Sequence, residues 1–224
     1  EYGNNFTSIL QDANNNLWLG GENGLIKLNY QQNQVLSTSY QTSNKKYHIQ
    51  HNRIRQIYED SDHDVWIATD GSIAKYNPQT QQFDYYNIFN RQGESAKWAY
   101  NLYEDRWGRL WISSYSGGLF IINKQKLVTC RNGNYVDYTQ SPKMEKYKGE
   151  SCIRQILPGD KDEIWLCSKE FVIRKNIRTG KEQRIDVQNE NASYCNHALW
   201  LSSQEGKIRK YDLRTQKLTT LNIC

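Results

Sequence analysis

The chain has 224 residues, a net charge of +5 at pH 7 and 24% charged residues. This length suits one domain or one repeat array and is short for two separate enzyme domains. The longest apolar runs have four residues, which excludes membrane insertion of this segment as a helix, because a bilayer crossing needs about 20. The basic residues are scattered and form no stripe, so nucleic acid is not an expected partner.

Five of the seven Trp recur in one local context, between apolar neighbours and two positions before a small residue. These five are Trp18, Trp66, Trp111, Trp165 and Trp200, and successive members are 35 to 54 residues apart. Equal contexts imply equal environments. We therefore expect these rings to be structural and to fill the space between neighbouring units of a repeat.

Each repeat predicts four short strands in the same order. An alternating stretch ends six residues before the Trp, where three copies have an acid that we expect to hold turn amides (Asp12, Asp60 and Asp105). The Trp strand follows, then a glycine turn, a third strand, a polar turn and a fourth strand. The fourth and fifth copies depart, since Gly159 and Tyr194 replace the acid. The fifth copy is predicted to lack almost all of its first strand.

A four-stranded repeat of about 45 residues has the length of a propeller blade. The sequence thus predicts an all-β fold, a β-propeller array of about five four-stranded blades, as part of a larger, seven-bladed type of propeller. The expected blades cover residues 1–47, 48–92, 93–140, 152–188 and 189–224, with an insert at 131–151. A β-sandwich is the alternative without a Trp register, and a parallel β-helix has coils of half this length. The chain begins without Met and is expected to be a segment of a longer protein.

The stretch from Asp105 to Leu119 follows the pattern D-x-x-G-x-L-W-I-x-T-x-x-G-L closely, as does the stretch from Asp12 to Leu25. This pattern resembles the two-component regulator propeller repeat. The resemblance implies a periplasmic sensor region of a Bacteroidetes hybrid two-component system, ahead of a membrane helix and a histidine kinase. It also implies that oligosaccharides are the signal for polysaccharide utilisation, and that other propeller and sandwich domains of the same chain are partners.

Blades cut from a larger ring would expose apolar flanks that normally pack on a neighbour. We therefore expect a homodimer.

Trp98 and Trp107 lie outside the repeat register, so packing between blades does not demand them. Sugar rings stack on exposed aromatic rings, and flanking Arg106, Arg109 or Tyr115 would donate to hydroxyls. These five residues are the predicted ligand-binding residues. The alternative is that each Trp ring lies on a neighbouring blade.

The insert 131–151 is rich in Lys and Tyr and is predicted to be either functional or disordered. Cys130 and Cys152 bracket it, and a disulfide between them is one expectation in an oxidising compartment. His48 and His51 are predicted to be solvated, because their loop offers no nearby acid.

No catalytic motif stands out, and we expect no metal and no cofactor. The run Asp60-Ser-Asp62-His-Asp64 begins like a calcium loop but lacks the Gly and the Glu that such a loop requires. The predicted function is a non-catalytic sensor segment. The alternatives are a protein-binding propeller scaffold and a propeller lyase or hydrolase.

Overall fold

The fold was analysed in a computed structural model that describes residues 5–31, 34–90, 92–127, 143–145, 147, 149 and 152–221. These residues form five antiparallel sheets of four strands, and each sheet pairs its strands in chain order. One 3-10 turn spans Lys124–Lys126, and no α-helix occurs among the described residues. None of the described residues belongs to a helix long and apolar enough to cross a bilayer. The all-β prediction of four-stranded repeats is confirmed.

The chain divides into two compact units, Glu1–Gly149 and Glu150–Cys224. The first unit holds three sheets, with strands β1 Phe6–Gln11, β2 Leu17–Gly21, β3 Gly24–Gln31, β4 Gln34–Tyr40, β5 Ile54–Glu59, β6 Val65–Thr69, β7 Ser72–Asn77, β8 Gln82–Tyr86, β9 Ala99–Glu104, β10 Arg109–Ser114, β11 Gly118–Asn123 and β12 Lys143–Glu145. The second unit holds two sheets, with strands β13 Gln155–Pro158, β14 Glu163–Cys167, β15 Phe171–Asn176, β16 Glu182–Asp186, β17 Asn191–Cys195, β18 Ala198–Ser202, β19 Ile208–Asp212 and β20 Lys217–Leu221.

The predicted insert contributes the outer strand of the third sheet. Strand β12 pairs with β11, and Leu119 lies opposite Glu145. The third blade was expected to end at residue 140, so its fourth strand lies beyond that boundary. Most of the insert is outside the described residues, and so is the predicted pairing of Cys130 with Cys152.

Three of the repeated Trp rings pack between consecutive sheets of a unit. Trp18 of the first sheet packs edge-on against Tyr76 of the second, with ring centroids 4.9 Å apart. Trp66 joins a core cluster with residues of the third sheet. In the second unit, Trp165 packs edge-on against Tyr211 at 5.9 Å. Trp111 is also buried, whereas Trp200 is only half-buried, since no described sheet follows the one that carries it.

The Asp that precedes the Trp by six residues supplies two kinds of hydrogen bond. In the first sheet, one carboxylate oxygen of Asp12 accepts the turn amides of Asn14 and Asn16 at 3.0 and 2.8 Å. The other oxygen accepts the Trp18 indole N–H at 2.7 Å. Asp60 and Asp105 repeat this arrangement with Trp66 and Trp111, both at 2.8 Å. One side chain therefore closes the hairpin and satisfies a buried indole.

The fourth and fifth copies lack this hydrogen bond to the indole. Gly159 offers no side chain in the fourth copy, and the buried indole nitrogens of Trp165 and Trp200 have no hydrogen-bond partner among the described residues. A buried N–H without an acceptor costs roughly 1–3 kcal/mol. The repeated indole N–H therefore has an acceptor in the first three sheets and lacks one in the two sheets of the second unit.

The prediction that the fifth copy lacks its first strand is wrong, because β17 spans five residues and pairs with β18 throughout. The hairpin before Trp200 is a two-residue turn in which Asn196 and His197 both have positive φ, the geometry that Asn favours. Trp200 lies opposite Ser193, seven residues before it, whereas Trp66 lies opposite Tyr58, eight residues before it, so the hairpin of the fifth sheet is one residue shorter. Strand β17 therefore lies one position closer to its Trp than the first strands of the earlier copies do. An alignment based on those copies does not reveal it.

Polar side chains on the inner strands link consecutive sheets within each unit. The Ser8 hydroxyl accepts the Ile57 amide at 2.8 Å. Gln56, at the equivalent position of the second sheet, accepts the Leu102 amide. Gln155 repeats this link in the second unit. Consecutive inner strands are therefore tied by a side chain rather than by a continuous backbone ladder.

A buried ammonium ties the second and third sheets at their hairpins. Lys124 Nζ lies 3.1 Å from Asp60, 2.7 Å from Asp62 and 2.7 Å from Glu104. Burial lowers the pKa of Lys124, but hydrogen bonds with these carboxylates outweigh burial and hold the pKa above its ordinary value. Asp60 and Asp62 of the acidic run are thus paired with a lysine from the turn that follows β11.

Replacing Asp12 with Ala tests the double role of the repeated carboxylate. The change leaves the Trp18 indole buried without an acceptor and removes two turn hydrogen bonds, so we expect a loss of roughly 2–4 kcal/mol in the free energy of unfolding. Asp212 is the matched control, because it accepts the turn amides of Arg214 and Thr215 and no indole. Urea denaturation should show a clearly smaller loss for Asp212→Ala, and equal losses would contradict the role of the indole bond.

Candidate ligand-binding site

The registers of the second and third sheets bring four chain segments to one end of these sheets. Ile54, at the start of β5, lies opposite Thr69 at the end of β6. In the same way Ala99 starts β9 opposite Ser114 at the end of β10. The segments that enter β5 and β9 therefore meet the turns that leave β6 and β10.

A cavity of about 620 Å³ lies at this end. It is lined by Gln50, His51, Asp70, Gly71, Asn87, Lys97, Trp98 and Ser116. The lining combines one large aromatic ring with amide, hydroxyl, ammonium and imidazole groups. This volume falls in the range of about 300–1,000 Å³ that small-molecule sites occupy.

Trp98 stands in a strained backbone conformation at the edge of the cavity. Its φ is +52°, in the left-handed region that a bulky side chain rarely adopts. Its N–H donates to the Asp70 carbonyl at 2.9 Å, and its carbonyl accepts the Tyr115 N–H at 3.2 Å. Strain of this kind persists only where the surroundings enforce it, and it concentrates at functional sites. The turns of two sheets thus hold this one residue.

The Trp98 ring is available for contact. It is 46% exposed, and its only ring partner among the described residues is Tyr115, at a centroid distance of 5.4 Å and an angle of 52°. Tyr115 therefore lies against the indole while much of the indole surface meets solvent.

Serine hydroxyls fix the segment that precedes Trp98. Ser114 Oγ donates to the Lys97 carbonyl at 2.6 Å, and Ser116 Oγ donates to the same carbonyl at 2.9 Å. The Ser95 carbonyl lies so close to Gly117 that a Cβ there would come within 2.4 Å of it. The approach to β9 is therefore clamped onto the turn after β10.

The expectation that both His48 and His51 are solvated is wrong for His51. His48 is exposed, with Nδ1 3.0 Å from the Thr42 carbonyl. His51 is half-buried, and its ring lies against Gly71, where a Cβ would come within 2.1 Å of the imidazole. Glycine at residue 71 is what permits the imidazole to form part of the cavity wall.

The five residues predicted to bind ligand lie in two places. Trp98 lines the cavity and Tyr115 packs against its ring, whereas Arg106 and Trp107 lie in the turn between β9 and β10 and Arg109 begins β10. The six residues of β9 separate the two ends by about 20 Å. Tyr115 therefore flanks Trp98 and not Trp107.

Trp107 already has partners from its own hairpin. The guanidinium groups of Arg106 and Arg109 lie 4.7 and 4.8 Å from its ring centroid. Arg109 also forms an ion pair with Asp105 at 2.6 Å. The Trp107 ring is 44% exposed, but it is not among the residues that line the cavity beside Trp98.

Most of the cavity lining was missed from the sequence. His51, Asp70 and Lys97 belong to segments that differ in length between repeats, so no column of the repeat singles them out. One signal was present, because the Lys97-Trp98 pair directly precedes a strand start. A large aromatic at the entrance to an inner strand lies at the end where the connecting loops converge.

Comparisons with known proteins agree with the fold and the repeat. The family model described as the two component regulator propeller matches residues 3–23, 48–71 and 93–116, one segment in each of the first three sheets. The chain carries two-component regulator propeller repeats. None of the curated proteins matches it.

Two solved structures of the extracellular domain of BT4673 from B. thetaiotaomicron resemble this regulator propeller segment. One, named as a one-component system, is 30% identical with a TM-score of 0.80 and is matched over 97% of this chain and 30% of its own length. The other, named as a hybrid two-component system, is 26% identical with a TM-score of 0.64, over 98% and 36%. The extracellular domain of the hybrid two-component system BT3049 from the same organism, 15% identical with a TM-score of 0.73 over 97% and 30%, shares the fold.

The regulator propeller segment thus spans about a third of the length of these structures. It is related to extracellular domains of bacterial signalling systems and folds as part of a β-propeller.

The strain at Trp98 can be measured by comparing two substitutions at one position. Glycine tolerates positive φ, whereas alanine is strained there. The free energy of unfolding of Trp98→Gly should therefore be about 1 kcal/mol larger than that of Trp98→Ala. Trp107 is the control because its φ is not positive, and there Gly should be the less stable replacement by about 0.5–1 kcal/mol. Chemical denaturation of the four variants gives both differences, and the same sign at the two positions would refute the strain.

Proposed function

We propose that this regulator propeller segment is a non-catalytic, ligand-recognising part of the periplasmic sensor region of a hybrid two-component system. In this proposal oligosaccharides are the signal, and the parent protein is a sensor histidine kinase that controls polysaccharide utilisation. The relatives are extracellular domains of bacterial signalling systems, which supports a location outside the cytoplasm.

The geometry around Trp98 carries the proposal of a carbohydrate ligand. A half-exposed indole offers a flat apolar surface on which the C–H face of a sugar ring can stack. Gln50, Asn87 and Ser116 surround the same cavity and supply amide and hydroxyl groups for sugar hydroxyls. A rigid aromatic platform with a few polar groups around it is the usual composition of a small-molecule site.

The cavity suits binding better than bond cleavage. Glycoside hydrolysis ordinarily needs two carboxyl groups, and among the residues described around the cavity there is one, Asp70, which is held in an ion pair with Arg55 at 2.7 Å. Ligand recognition without turnover fits a sensor. A lyase or hydrolase remains the alternative that an activity measurement would reveal.

The position of the cavity gives binding a route to a conformational signal. Its lining comes from the second sheet through Asp70 and Gly71, and from the third through Lys97, Trp98 and Ser116. A ligand that bridges both sheets binds best to one packing of the two and shifts the population toward that packing. No bond needs to be broken for such a signal.

Calorimetry with a panel of oligosaccharides tests the site through two matched Trp variants. The two rings are almost equally exposed and flank the same strand, β9, but only Trp98 lies at the cavity. Trp98→Ala should weaken binding about tenfold or more, because stacking contributes about 0.5–1.5 kcal/mol beyond the area buried. Trp107→Ala should leave the affinity unchanged. The reverse result would move the site to the hairpin, and turnover of a glycan by the segment would contradict the sensor function.

The first sheet exposes an apolar side chain, Ile9, at a position that is buried in the three sheets that follow it, and this exposure favours a protein partner. Ile9 is 67% exposed, whereas Ile57, Leu102 and Ile156 at the same repeat position are buried. In the second sheet, Ile57 belongs to the cluster that covers Trp18. We propose that the Ile9 flank packs on another propeller blade or domain of the parent chain, and that the isolated segment covers it by forming a homodimer.

Sedimentation at several protein concentrations tests this partner surface. The segment should self-associate, and Ile9→Gln should weaken that association while leaving the fold intact, because the side chain is exposed. Trp107→Gln, which removes an exposed ring elsewhere on the same unit, should leave association unchanged. A monomer at every concentration, or association that is insensitive to Ile9→Gln, would contradict the proposal.

A further inference from the structure

The ionisable groups around the Trp98 cavity indicate which class of glycan it prefers. This inference rests on the proposed function, because it assumes that the cavity binds a sugar. Three ionisable side chains line the cavity, namely His51, Asp70 and Lys97. Their partners within the protein decide which of them remain available to a ligand.

Asp70 is already neutralised. Its Oδ1 accepts the Arg55 Nε at 2.7 Å, and both side chains are largely buried. The Arg55 guanidinium also lies 4.4 Å from the Tyr100 ring centroid, which fixes its position. The carboxylate is thus paired inside the protein, and its repulsion of an incoming anion is weak.

Lys97 brings a positive charge to the cavity without a counter-ion. Its backbone carbonyl is fixed by Ser114 and Ser116, but its ammonium forms no ion pair and no hydrogen bond within the part of the chain that the structure describes. Other cations of the same unit are paired, such as Arg53 with Glu22 at 2.9 Å and Lys75 with Asp64 at 3.0 Å. The ammonium of Lys97, which lines the same cavity as the Trp98 ring, is therefore available to pair with a charged group of a ligand.

His51 adds a donor on the same lining. Its ring is positioned by close contact with Gly71, and neither ring nitrogen has a hydrogen-bond partner among the residues that the structure describes. An imidazole carries at least one N–H donor in every protonation state that it adopts in water near neutral pH. A half-buried donor without a partner is available to an acceptor group of a ligand.

We propose that the cavity recognises an anionic glycan, in which Trp98 stacks on a sugar ring and Lys97, with His51, binds a carboxylate or sulfate substituent. A neutral sugar uses the stacking surface but leaves the ammonium unpaired. An acidic sugar adds a charge-assisted hydrogen bond, which is about twice as strong as a neutral one. The cavity therefore discriminates by charge as well as by shape.

Matched pairs of probes test the charge preference. Oligogalacturonides are compared with their methyl esters, and keratan sulfate oligosaccharides with their desulfated forms, whose sugars carry no carboxylate, at low and at physiological ionic strength. The readout is the indole resonance of Trp98 together with calorimetry. We expect at least one acidic member to bind about tenfold more tightly than its neutral partner, with the difference shrinking as salt screens the ion pair. The two pairs separate carboxylate recognition from sulfate recognition.

Lys97→Gln is the decisive variant, and Lys217→Gln, at an exposed lysine of the fifth sheet, is its control for the same change in net charge. Lys97→Gln should reduce the ratio of acidic to neutral affinity to less than about threefold, since it removes the ionic contact. Lys217→Gln should leave this ratio unchanged.

The two proposals fail in different ways. Neutral partners that bind as tightly as acidic ones, or a preference that survives Lys97→Gln, would overturn the anionic inference while leaving the Trp98 site intact. Absence of binding by every member of the panel would count against the proposed function itself.

Discussion

The buried indole N–H of the repeated Trp is the constraint on which the first three sheets depend. A buried indole contributes a large apolar surface to the core, but its single donor must find an acceptor away from water. The Asp six residues earlier meets that need and accepts the amides of its own hairpin with the other oxygen. Ring orientation and hairpin geometry are therefore fixed by one carboxylate.

The geometry of these hairpins also determines how the strands are arranged at the opposite end of the sheets. The hairpin sets the register of the inner two strands, and that register decides where the strands begin and end. Side chains such as Ser8 and Gln56 then hold consecutive inner strands at a fixed offset. The segments that enter β5 and β9 consequently arrive together, and the strained Trp98 backbone is held between turns of two sheets. The cavity is a product of repeat geometry combined with irregular entering loops.

The sequence predicted what repeats and missed what does not. The Trp register identified the strands because each copy faces the same packing problem, and equal problems select equal residues. It could not place Trp98 and Trp107, which both fall outside the register, and the structure puts them at opposite ends of β9. The inner strand of the fifth sheet was missed because a hairpin shortened by one residue shifts its column. The ion pair of Asp70 with Arg55 could not be predicted from the sequence either, because it joins residues 15 positions apart, one on β5 and one just after β6.

The unsatisfied indoles of Trp165 and Trp200 have a consequence for the dynamics of the chain. Local opening requires less free energy where a buried polar group gains a hydrogen bond to water on exposure. Strand β14, although nearly as buried as β6, should therefore open more often. Its backbone amides would exchange with solvent deuterium before those of β6, so the second unit would be the cooperative unit that opens first while the sheets around the Trp98 cavity keep their structure.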